Sequence, residues 1–149
     1  MPDRIILKIS LLCAVLFPGC GQNTNVMERK PSDVYQNYYI NLAQGMSFDQ
    51  DAAYHSNAKQ AEVREKIDAM KRNSTQTTEQ IISLYLNLTQ AAAKCGELIL
   101  REERIEGETA YLVYDRTDTC GNGETKQSGE TITMVYENGW KIHDSLSSY

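Results

Sequence analysis

The sequence predicts an α+β fold, with N-terminal helices packed on one face of a curled antiparallel sheet of about four strands. Three observations predict it. Segments whose apolar residues recur at helical spacing fall before Cys95. Segments with period-two alternation fall after it. The last two of these flank Asn138-Gly139, a pair that favours a turn with positive φ at both central residues.

The chain has 149 residues and a net charge of −5. That length fits one domain. The acidic balance argues against a nucleic-acid partner and against a basic membrane-surface patch. It is compatible with a basic protein partner or with a small uncharged, apolar ligand. The sequence holds no CxxC and no Cys/His cluster, so it indicates no metal and no cofactor.

Residues 1–19 have the layout of a leader. Arg4 and Lys8 make a positive start, and Ile9 to Phe17 is an apolar run too short to span a bilayer. Its end, Leu16-Phe17-Pro18-Gly19-Cys20, resembles the lipobox of bacterial lipoproteins. Gly19 and Cys20 match that pattern; Phe17 and Pro18 stand where it usually has Leu and a small residue. The resemblance implies cleavage before Cys20, acylation of its thiol and amine, and stable anchoring by several acyl chains. Gly21 after the cysteine implies the outer membrane, with the domain facing the periplasm. Ordinary secretion with cleavage near Gly19, and an uncleaved anchor, are the alternatives. Residues 20–31 are polar and lack periodicity, as a flexible tether would.

A single domain is expected over residues 32–149. Ser32-Asp33 offers an N-cap for a helix carrying Val34, Tyr35, Tyr38, Tyr39 and Leu42, with Gly45 as its stop. Residues 47–56 read as a short turn or helical segment with Phe48 and Tyr54 inward. Residues 57–72 read as an exposed helix with a thin apolar seam and a Glu62–Lys66 pair in the favourable order. The loop 73–78 supplies caps for a helix over residues 79–94, whose stripe is Ile81, Ile82, Tyr85, Leu88 and Ala92, widened by Leu84 and Leu86. Strands follow at residues 97–105 and 109–118. Residues 120–129 form a Gly-rich loop, and the hairpin over residues 130–146 completes the sheet. Ile132, Met134 and Tyr136 share one face. After the turn, Trp140, Ile142 and Asp144 share the core face, with Lys141 and His143 near water.

Cys95 and Cys120 are the two cysteines left in the body once Cys13 goes with the leader and Cys20 is acylated. In an exported protein they are expected to pair. The bridge would close a loop of about 25 residues, worth roughly 3 kcal/mol in the chain-entropy model.

Ile105 to Val113 (IEGETAYLV) and Glu137 to Ile142 (ENGWKI) carry a second resemblance. With the order of elements from Ser32 to Leu146, they are similar to the nuclear transport factor two-like superfamily, a cone-shaped α+β fold, and in particular to its small exported lipoproteins. The cysteine pair is not a general feature of that superfamily. Its enzymes place an acidic base and a hydrogen-bond donor inside the cone. Their catalytic positions find no residue-by-residue match here, so no catalytic residue is assigned. The expected pocket residues are Tyr38, Tyr54, His55, Trp140 and Asp144. Together these features favour a lipid-anchored, non-catalytic binding or protein-interaction module of the cell envelope. The alternatives are an immunity-type inhibitor of a periplasmic toxin, a small isomerase- or dehydratase-like enzyme, and a structural component docking through Tyr111, Val113 and Val135.

Overall fold

The computed structural model describes residues 29–121 and 126–148. The leader, Cys20 and all but the last residues of the expected tether lie outside them. The described chain runs α1 (Pro31–Gln44), α2 (Phe48–Tyr54), α3 (Asn57–Arg72), α4 (Thr78–Cys95), β1 (Gly96–Glu106), β2 (Thr109–Asp118), β3 (Lys126–Tyr136) and β4 (Trp140–Ser148). The strands form one antiparallel meander in the order β1-β2-β3-β4, open at both ends, and the helices pack against it. The α+β reading holds.

Period-two alternation builds the core. Ala110, Leu112 and Tyr114 of β2, Ile132 and Met134 of β3, and Ile142 of β4 are buried on one face. They meet Tyr35, Tyr38 and Leu42 of α1 and Ala93 of α4. Each fully buried aliphatic side chain here is worth about 1.5–3 kcal/mol over exposure. Asn138 and Gly139 both have positive φ, as their hairpin turn demands.

Several boundaries differ from expectation. Helix α1 starts at Pro31, ahead of the expected Ser32-Asp33 cap, with Lys30 as an N-cap that makes no side-chain bond. Ser32 does not cap. Instead Glu103 of β1 caps the helix across the fold, accepting from the Ser32 N–H and hydroxyl, each at 3.0 Å. Strand β3 starts at Lys126, inside the stretch expected to be loop. The α4 stripe is narrower than its apolar content suggested: Ile81 and Ala93 are buried, whereas Leu88 is 63% exposed. Capping boxes, Ser47 with Gln50 and Thr77 with Gln80, start α2 and α4.

Two bulges change which residues face the helices. In β1, Leu100 opposes Tyr114 but Glu102 opposes Val113, so Arg101 is the extra residue. Strict alternation from Leu98 and Leu100 would turn Glu102 inward. The bulge brings Glu103 inward instead, onto the start of α1. In β4, Met134 opposes Ile142 but Thr133 opposes Asp144, leaving His143 extra. Asp144 therefore leaves the core face on which it was expected. It follows Thr133 to the opposite face, and its half-exposed carboxylate lies 3.8 Å from Lys59 Nζ.

The β4 edge is covered at Ile142. His55 forms an isolated parallel bridge with Ile142, and the Ser56 N–H donates to the Ile142 carbonyl at 2.9 Å. At the other side of the sheet, the Cys95–Cys120 disulfide ties the end of α4 to the residues after β2. Thr119 reinforces it, donating through its N–H and its hydroxyl to the Cys95 carbonyl at 2.8 and 3.0 Å. Gly96 is required by close approach: a Cβ there would stand 2.2 Å from the Tyr39 hydroxyl oxygen.

Replacing Cys95 and Cys120 together by Ser is expected to lower unfolding stability by about 2–4 kcal/mol in urea titrations. Glu103→Ala, which uncaps α1, is expected to cost about 1 kcal/mol in the same assay.

Candidate functional site

A cleft of about 590 Å³ opens where α1, α2 and the start of β4 converge. Val34, Met46, Trp140 and the ring of Tyr54 give it apolar walls, and Asn41, Gln44 and Gln50 bring amides to its rim. The elements explain the arrangement. Val34 and Asn41 project from the flank of α1 next to its buried stripe, and Gly45, with φ 95°, ends that helix and turns the chain toward Met46. Trp140 opens β4 directly after the hairpin turn, half-buried, with its ring packed edge-on against Tyr136 at 5.4 Å. Asn41 Nδ2 donates to the Tyr54 hydroxyl at 2.8 Å, which fixes the two side chains to each other. The Lys141 ammonium closes the floor and donates to the Ala53 carbonyl at 2.6 Å, at the C-terminal end of α2.

Behind this cleft lies a buried polar cluster. Asp51, 1% exposed, accepts from the Tyr38 hydroxyl on Oδ1 at 3.1 Å and from the Tyr85 hydroxyl on Oδ2 at 3.0 Å. One carboxylate thus joins α1, α2 and α4. His55 stands one turn along from Asp51, its Nδ1 2.9 Å from the Asp51 carbonyl and 3.7 Å from Oδ2. A carbonyl can only accept, so Nδ1 carries the hydrogen. Tyr38 packs between Tyr54, tilted at 5.2 Å, and His55, edge-on at 5.5 Å. A second buried carboxylate, Glu130 of β3, accepts from the Tyr35 hydroxyl at 2.9 Å and has Arg116 Nη1 at 3.6 Å from its other oxygen.

Burial, then the neighbouring carboxylates, push the hydroxyls of Tyr35, Tyr38 and Tyr85 well above the ordinary tyrosine range. Burial also raises Tyr114, to about 12. These hydroxyls are held as donors, and none serves as a base at neutral pH.

Of the expected pocket residues, Tyr54 and Trp140 line the cleft. Tyr38 and His55 lie behind it in the cluster, turned toward Asp51. Asp144 sits beyond the β4 bulge beside Lys59. Asp51 and Tyr85 were missed. Asp51 looks like an ordinary acidic residue in a helix's first turn, although its i,i+4 spacing to His55 was a usable signal. Tyr85 was absorbed into an apolar stripe. The amides of Asn41, Gln44 and Gln50 carry no sequence signal of their own. Among the described residues, no group of three or more His, Cys, Asp or Glu side chains could hold a metal ion.

Asp51→Ala is expected to cost about 2–4 kcal/mol in urea unfolding, because it leaves two buried hydroxyls without their acceptor. A second expectation concerns alkali. The folded-state pKa values of the buried tyrosines lie above the unfolded value of about 10, so the folded chain holds more protons there. Their stabilising contribution is complete below about pH 10 and is lost as pH rises toward the folded values. Urea midpoints measured from pH 8 upward should fall once pH exceeds about 10, with tyrosinate absorbance growing in together with unfolding.

Neither the protein-family models, nor the curated proteins, nor the solved structures contain a match to this chain.

Proposed function

We propose that the protein is a lipid-anchored binding module of the cell envelope, without a catalytic role, and that the cleft at Trp140 is its binding site. The observation that carries this reading is the division of labour around Tyr38. The groups suited to proton transfer, Asp51, His55 and the hydroxyl of Tyr38, are spent on one another in the buried cluster. The open cleft offers an indole, a thioether, an aliphatic wall and amides instead. Such a surface suits recognition of an apolar or aromatic group with hydrogen-bonding atoms at its margin. The envelope address rests on the lipobox-like Leu16 to Cys20 and on the leader before it. Anchoring by acyl chains on Cys20 would hold the module at the outer membrane, facing the periplasm.

Two measurements test the two halves of the proposal. Cells fed radiolabelled palmitate should label the wild-type chain, and Cys20→Ala should abolish the label and release the protein from the membrane fraction. A photo-crosslinking side chain placed at Gln44, on the cleft rim, should give discrete adducts in intact cells that Trp140→Ala removes. The same group at Glu102, on the opposite face of the sheet, should give none of them. Equal adducts at both positions would end the claim for the cleft.

A further inference from the structure

The two edges of the sheet are treated differently. The β4 edge is capped at Ile142 by His55 and Ser56. The β1 edge pairs with β2 alone, and among the described residues the one hydrogen bond that reaches its backbone from outside the sheet is at its start, where the Tyr39 hydroxyl donates to the Gly96 carbonyl at 3.1 Å. Alternate residues of an edge strand turn their N–H and C=O away from the neighbouring strand, which is a template for another strand. The bulge at Arg101 interrupts that template, so its regular part next to the helices is Gly96–Leu100.

That stretch borders a groove of about 450 Å³ between β1 and α1. Leu98 and Leu100 form one wall, Tyr39 and Ile40 the other, and Tyr114 lies at its base. Ile40, Leu100 and Ile99 are 47%, 40% and 61% exposed. An added strand would send alternate side chains into this groove and the others past Ile99 on the outer face. Asp33, next to the Ser32–Glu103 contact, and Glu97, next to the Tyr39–Gly96 contact, line opposite ends of the groove, and among the described residues neither is in an ion pair. Across the same edge, Arg101 is already paired with Asp115. Each end of the groove thus carries an exposed carboxylate.

We infer that Gly96–Leu100 is a docking edge for an extended peptide segment of a partner protein, added as a fifth strand, with apolar side chains in the α1–β1 groove and Lys or Arg side chains against Asp33 at one end or Glu97 at the other. The site is separate from the Trp140 cleft and does not depend on it or on the lipid anchor. The pairing supplies affinity through the backbone, while the groove and the two carboxylates supply selectivity. The acidic balance of the whole chain favours the same kind of partner.

The test uses a phage-displayed library of random peptides, selected on the immobilised full chain. Enriched peptides should alternate apolar residues and carry Lys or Arg. Ile40→Asp, at a half-exposed position and compared with wild type at a temperature where thermal unfolding shows both folded, should weaken them about tenfold or more, as the loss of a central apolar contact does. Asp33→Asn with Glu97→Gln should weaken them and flatten their salt dependence. Methylating alternate backbone nitrogens of a selected peptide should abolish binding. Three results would overturn the inference: no enrichment, peptides that bind Ile40→Asp as well as wild type, or peptides insensitive to backbone methylation. Sedimentation showing a dimer that Leu98→Asp dissociates would overturn it in favour of a second copy of this chain as the occupant.

Discussion

A buried carboxylate must find donors, and Asp51 finds them on two other helices. The Tyr38 and Tyr85 hydroxyls meet on its two oxygens, so α1, α2 and α4 are set relative to one another by one side chain. The consequences run outward. With α2 held, Tyr54 packs at a tilt against Tyr38 and also lines the cleft. The chain leaving α2 then passes the sheet at the height of Ile142, where His55 and Ser56 close the β4 edge. Lys141 reaches back from β4 to the end of α2. The walls of the cleft are therefore positioned by a polar contact that the cleft itself does not contain.

Helix α1 repeats the device one turn earlier. Tyr35 donates to Glu130 of the sheet, as Tyr38 donates to Asp51 of the helical layer. The spacing of three residues puts both hydroxyls on the core side of the helix. Tyr39 continues the row and bonds the Gly96 carbonyl at the start of β1. Three tyrosines thus address three elements, and aromatic area and hydrogen bonding come from the same side chains. The opposite flank of α1 is left to Val34 and Asn41, which line the cleft.

The order of elements, the hairpin at Asn138-Gly139, the core stripe of α1 and the cysteine pair were legible because each has a local signal: periodicity, turn chemistry or the count of one residue type. The bulges at Arg101 and His143 were not. A bulge leaves no mark on composition, and it reverses inward and outward for every residue after it in the strand. That reversal moved Asp144 out of the expected pocket and moved Glu103 onto the end of α1. The cleft was half legible. Trp140 and Tyr54 are large inward-facing aromatic residues at the ends of their elements, and both line it. Tyr38 and His55 belong to the cluster behind it; the i,i+4 spacing of Asp51 to His55 is local, but the bonds from Tyr38 and Tyr85 to the same carboxylate are set by tertiary geometry.

The claim that Asp51 organises the helical layer is tested most directly by a double-mutant cycle. Tyr38→Phe, Asp51→Asn and the combined variant would be compared with wild type by urea unfolding at neutral pH. A coupling free energy of about 1 kcal/mol or more between the two sites is the result this account predicts. Additivity within about 0.3 kcal/mol would contradict it.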